Sequence, residues 1–229
     1  MERNYKTLIA FFVAVSVISV LGFFTSYLSA FPQYGKFPVV IHIHFTAFLC
    51  WLALTIIQPI LIKKKNFSLH RKLGTVSYFM APIMVITMAL LIITKVERLL
   101  LTLPDEATVE AFIGLLDVVS FTTYYIVAML NRHNVRWHVA FIISATLIVL
   151  NPGMARLLNQ VQPGLGMLGA VVVPFVVPLC VIFYEKINLK RPILKSPYAL
   201  FFLCWALEIV LLITVPQTEF WKGIVAGLR

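Results

Sequence analysis

The stretch VVIHIHFTAFLCWLALTIIQPILIKKK, residues 39–65, decides the fold. Residues 39–62 contain no Asp, Glu, Lys or Arg, and three lysines close the run. At 1.5 Å per residue such a run extends about 36 Å as a helix, enough to cross the ~30 Å of hydrocarbon in a bilayer. It reads as a transmembrane helix ending at a charged surface.

Cutting the rest of the chain at charges and turn residues leaves six more runs of this kind, near residues 8–28, 73–94, 111–130, 137–158, 165–184 and 198–215. The expectation is a single all-α domain, an integral membrane bundle of seven transmembrane helices. Composition agrees, because 61% of the 229 residues are hydrophobic and 12% charged, against about 45–50% and about 25% in soluble domains. Mean hydropathy is +0.95. The first run follows Arg3 and Lys6 but exceeds the ~7–15 residues of a signal peptide's apolar region, so it reads as a retained helix. The fifth meets Asn151-Pro152-Gly153, a breaker sequence, and is expected to continue as a bent helix to about Leu158. Residues 96–110 and the tail 216–229, with Phe220 and Trp221, read as interfacial segments. Cys50, Cys180 and Cys204 lie in apolar sequence without Cys-x-x-Cys spacing and read as buried thiols.

The formal net charge of +10 is distributed between the runs rather than along one face, so it reports topology and not nucleic-acid binding. With the N-terminus inside, Arg3, Lys6, Lys63, Lys64, Lys65, Arg71, Lys72, Arg132, Arg136, Lys186, Lys190, Arg191 and Lys195 share one side. Lys36, Lys95, Arg98, Arg156, Lys222 and Arg229 share the other. Thirteen against six predicts a cytoplasmic N-terminus and an outer C-terminus in a cell inner (plasma) membrane. Seven-helix receptors and retinal proteins have the opposite orientation, and the seventh run holds no Lys for a Schiff base.

Ionisable groups within such runs are costly and are functional candidates by default. On this topology His44 and Asp117 lie at similar depths below the outer boundary, and Glu208 lies roughly 15 Å into the last run. In the second run His44, Trp51 and Gln58 recur every seven residues, within about 40° of one another on a helix, and Phe48 and Thr55 extend the stripe. Asp117, Ser120 and Tyr124 form a second stripe. Packing and interhelical hydrogen bonds account for both stripes; the first is alternatively a ligand or cofactor wall, and the second, with Glu208, a proton or ion path through Asp117. The remaining histidines lie at inner helix ends. His70 and His138 match in depth, as two imidazoles ligating a haem b iron would, and Gly74 one turn inside His70 leaves room for a macrocycle. Headgroup contact or capping explains the same positions. Arg156 falls on the face of His138, eighteen residues on and about 27 Å away. P-loop, dinucleotide-turn, His-Glu-x-x-His and Gly-x-Ser-x-Gly signatures are missing, and His42-x-His44 alone is a weak metal motif.

The order His44, Gln58, His70-Arg71-x-x-Gly74, His138 and Arg156 resembles a widespread family of bacterial multi-spanning membrane proteins known as a domain of unknown function. Its spacing is broadly similar to that of transmembrane cytochromes b. The resemblance covers about residues 41–158. A Trp-Met pair tends to follow the later histidine in that family, whereas Val139, Ala140 and Phe141 follow it here. A fainter likeness is to small proteins associated with haem-copper oxidase assembly. The resemblance implies the fold and a set of positions.

The expectation for function is a haem or quinone-like cofactor bound between spans two to five, contacted by His44, Gln58, His70, His138 and Arg156, with a redox or assembly partner in the membrane. A membrane oxidoreductase is the enzyme class such a site would serve. A proton-coupled carrier using Asp117, Glu208 and His44 is the alternative, with Pro174 and Pro178 supplying a mobile sixth span. A scaffold without chemistry is the third class.

Overall fold

The structure is a computed structural model and describes residues 4–228; Arg3 and Arg229 of the charge count lie outside the described residues. It is all-α. The helices are α1 (Tyr5–Gly22), α2 (Val39–Lys63), α3 (Phe67–Gly74), α4 (Ser77–Leu100), α5 (Pro104–Leu130), α6 (Val135–Val161), α7 (Leu165–Asn188), α8 (Pro197–Thr214) and α9 (Glu219–Ala226). Among the described residues there is no strand. Seven spans, with α3 and α4 counted as one, are long and apolar enough to cross a membrane. Their outer faces carry exposed large apolar side chains, such as Leu203, Leu207, Val210 and Ile213 on α8, as a chain in contact with lipid requires.

Helix α6 is the most buried span and packs against α1, α5, α7 and α8, while α2 and α4 pair beside α1 and α5. Its contact with α1 is made by small residues. A Cβ on Gly22 would lie 1.8 Å from the Gly153 carbonyl oxygen, and one on Gly153 would lie 2.8 Å from Ser19 Cα. Small residues let helix backbones approach this closely inside a bilayer. The Asn151-Pro152-Gly153 sequence therefore marks a crossing within a helix that continues to Val161.

Several boundaries differ from the sequence expectation. Helix α1 stops at Gly22 instead of residue 28, and the chain turns so that Tyr27 stacks on Tyr34 and hydrogen-bonds His42 Nδ1 at 2.6 Å. The third run begins with two helices, because the backbone turns at residues 75–76 between α3, which carries His70, and α4. Residues 96–110 are a helical hairpin with only residues 101–103 between α4 and α5. Pro104 opens α5, and Asp105 and Glu106 occupy its first turn, where acidic groups complement the helix dipole. Helix α9 docks on that hairpin: Trp221 Nε1 donates to the Thr108 carbonyl at 2.9 Å, and Val225 is buried. Cys50 and Cys180 are exposed on the outer faces and Cys204 is half-buried; all three are free thiols.

Two ends follow from this order. The N-terminal end holds the start of α1, α3, and the α5–α6 and α7–α8 turns. The far end holds the α1–α2, α4–α5 and α6–α7 turns and α9.

Candidate functional site

A cavity of about 520 Å³ opens in the far half of the bundle. Its walls are mostly apolar, from Phe23, Phe48, Met84, Met88, Phe121, Ile148 and Trp205 among others, and a small set of polar groups converges on it: His44, Asp117, Asn151, Arg156 and Glu208, with Lys95 and Glu110 at the rim. An apolar cleft with a few convergent polar groups is the usual form of a small-molecule site. The expectation of a site between spans two to five is thus widened, because Phe23 just after α1 and residues of α7 and α8 also form its walls.

Helix periodicity puts each group there. His44 lies on the buried stripe of α2 that continues through Phe48, Trp51 and Thr55. Its Nδ1 is 2.9 Å from Thr87 Oγ1. The single Thr87 hydroxyl proton is already directed to the Ile83 carbonyl at 2.6 Å, so His44 Nδ1 donates and Nε2 keeps a lone pair. Asp117, about two turns below the hairpin on α5, makes no hydrogen bond to any described residue. It is close enough to Glu208 and Glu110 to interact with them through space. Glu208, from α8, accepts from the Tyr124 hydroxyl at 2.5 Å and from Ser120. Of the second stripe Asp117 lines the cavity, while Tyr124 and Ser120 hold the Glu208 carboxyl that lines it from α8.

Arg156 supplies the cation. It stacks on the Phe23 ring with 4.5 Å from guanidinium carbon to centroid, and its Nη1 donates to the Pro152 carbonyl at 3.1 Å. Among the described residues it forms no salt bridge. Asn151 Oδ1 is buried without a hydrogen-bond partner. Lys95 and Glu110 pair at 2.6 Å, both part-exposed. The cavity thus offers a guanidinium donor, an imidazole acceptor, an unpaired amide oxygen and a free carboxyl against flat apolar walls. It can hold a ring that carries both acceptor and donor oxygens.

The other expected residues lie at the N-terminal end. His138 Nδ1 donates to the Ala128 carbonyl at 2.8 Å, and His70 and His138 are close enough to interact through space. Gln58 Nε2 donates to the His70 carbonyl at 3.2 Å. That amide is the nearest neighbour of Gly74: a Cβ there would meet Gln58 Nε2 at an ordinary contact distance of 3.6 Å. The structure therefore joins His44 and Arg156 with Asp117 and Glu208, and separates them from Gln58, His70 and His138. Among the described residues no three His, Cys, Asp or Glu groups cluster as a metal site would need.

Sequence reasoning passed over Asn151, read only as part of a breaker, and the Lys95–Glu110 pair, read as an interfacial loop. It also missed Glu185 at the N-terminal end. That carboxylate is 2% exposed and accepts from Arg136, Arg191 and Ser196. Its signal was an acidic residue beside a cluster of basic ones at the close of a span. No protein family matches the chain, and no curated protein or solved structure matches it either.

Proposed function

We propose that this multi-pass membrane protein binds a quinone-like ring in the cavity of its far half. The observation that carries the reading is the convergence of Arg156, His44, Asn151 and Asp117 on one mostly apolar space of about 520 Å³. A quinone ring presents oxygens at opposite edges and flat apolar faces. Arg156 would donate to one oxygen, and His44 Nε2 would accept from a reduced hydroxyl. Phe23, Phe48 and Phe121 would cover the faces. Haem fits this cavity less well, because among the described residues His44 is the one imidazole lining it. The charge asymmetry supports a cytoplasmic N-terminal end in an inner membrane, with the cavity in the outer leaflet. The chain then acts as a binding partner for a redox or assembly protein beside it.

The test is chemical. Protein purified in mild detergent is extracted with organic solvent, and the extract's ultraviolet difference spectrum is recorded after borohydride reduction. A quinone signal that is lost from Arg156→Gln protein supports the reading. No quinone in the extract, and none retained after incubation with a short-chain quinone, refutes it.

A second reading rests on Asp117, a carboxyl with no hydrogen-bond partner among the described residues, beside Glu208 in the same cavity. Such a pair is the equipment of a proton-coupled carrier. Solute uptake by vesicles that drives proton flux, abolished by Asp117→Asn, would favour it over the first.

A further inference from the structure

Below the cavity the bundle does not become uniformly apolar. Trp51 packs edge-on against Phe121, which is part of the cavity wall, with 5.0 Å between centroids. Its indole Nε1 is buried with no hydrogen-bond partner. Trp51 also meets the Tyr125 ring at 5.9 Å, and the Tyr125 hydroxyl lies 2.9 Å from Ser77 Oγ. Ser77 donates to the Gly74 carbonyl at 2.7 Å. Beside Gly74 is Gln58, whose Oε1 is buried and unpartnered, and next to it His70, whose Nδ1 is buried and unpartnered as well. From His44 to Gln58 this column follows α2 for about 21 Å at 1.5 Å per residue.

Among the described residues, three buried polar atoms without a hydrogen-bond partner fall in this one column, while others lie at Ser19 and Asn151. A buried donor or acceptor left unpaired costs about 1–3 kcal/mol, and native proteins satisfy such groups with ordered water. In a bilayer interior no bulk solvent substitutes. The Trp51 ring contacts both Phe121 of the cavity wall and Tyr125, and the Gln58 amide joins His70 at the N-terminal end.

We infer that the N-terminal half of the bundle holds a hydrated proton path joining the cavity to the N-terminal end through Trp51, Tyr125, Ser77, Gln58 and His70. Protons cross it by relay. Each water or hydroxyl accepts a proton on one side and releases its own on the other, so every bond broken is replaced and no oxidant or reductant is consumed. Trp51 can only donate, so it orients a water and does not relay. The Tyr125 and Ser77 hydroxyls do both. The cavity's ligand would thereby exchange protons with the end opposite its own opening. The inference rests on the proposed ligand only for what the path serves.

Two measurements test it. Purified protein is reconstituted into liposomes with an entrapped pH dye, and a potassium diffusion potential set with valinomycin drives proton entry. Wild-type protein should raise the flux above that of protein-free liposomes. Tyr125→Phe and Gln58→Leu should return it to the protein-free level, while Glu219→Gln on exposed α9 should leave it unchanged. Separately, hydroxyl-radical footprinting of folded wild-type protein should label Trp51 and Tyr125, which are 2% and 9% exposed, because bound water generates the radical in place. Wild-type flux at the protein-free level, flux indifferent to both substitutions, or absence of label at both residues would overturn the inference. Quinone binding without flux defeats the path alone, and flux without quinone binding defeats the ligand reading alone.

Discussion

Replacing Glu185 by Gln should destabilise the bundle by about 3–5 kcal/mol, the range for breaking a buried ion pair by removing one partner. Oε1 accepts from Arg136 Nε at 3.0 Å and Arg191 Nη1 at 3.0 Å; Oε2 accepts from Arg136 Nη2 at 2.7 Å and Ser196 Oγ at 2.7 Å. Both oxygens face donors only. Turned one way, a glutamine NH₂ group faces two arginine N–H donors; turned the other way it faces Arg136 Nη2 and the Ser196 hydroxyl, which can rotate to accept, so one or two of the four bonds become repulsive contacts and the charge is lost in either case. Each charge-assisted bond is worth about 1.5–3 kcal/mol. The arginine side chains are 24% and 38% exposed and recover some hydration, which keeps the loss within the stated range instead of the sum of two bonds. The network ties α6, α7 and the start of α8, so its loss should lower the unfolding midpoint in sodium dodecyl sulfate titrations followed by circular dichroism. Adding Arg136→Gln should recover part of the loss, as coupled sites do. A change below about 1 kcal/mol, the value of an exposed surface pair, would refute the argument.

The α1–α6 crossing makes a second prediction: Gly22→Ala should cost at least about 1–3 kcal/mol by overpacking, since its Cβ meets backbone, while Gly35→Ala, with nothing within 4 Å, should be neutral in the same titration. Removing Trp221 should free α9 from α5, so Trp221→Ala protein should be cut at Lys222 by a lysine-specific protease faster than wild type; equal rates would mean that α9 docks without it. Haemin added to the purified protein should give no saturable Soret band, and a band lost from both His70→Ala and His138→Ala would restore the bis-histidine reading.

The seven spans were legible because bilayer thickness imposes a run length that charges and turns interrupt. The inward faces of α2 and α5 were legible too, since His44, Trp51 and Gln58, and Asp117, Ser120 and Tyr124, keep helical spacing. What one chain in order does not display is which helices meet. Depth matching could pair His44 with Asp117, but it could not reveal that Glu208 arrives from α8 or that the Gln58 amide reaches the His70 carbonyl. The α4–α5 hairpin was missed because its charges were read as loop, when Pro104, Asp105 and Glu106 are the ordinary opening of a helix. The break after Gly74 has no comparable signal, because Thr75 and Val76 are residues that a helix also accepts.

The cavity's chemistry is tested most directly by titrating purified protein with a short-chain quinone and following tryptophan emission, because Trp205 lines the cavity and quinones quench indoles on contact. The account predicts saturable quenching. Arg156→Gln should weaken it roughly 10-fold or more, the equivalent of one charge-assisted hydrogen bond, His44→Leu should weaken binding of the reduced, hydroxyl-bearing form instead, and Trp205→Phe should remove most of the amplitude. Quenching that rises linearly without saturation, or that saturates identically in all three variants, would contradict it.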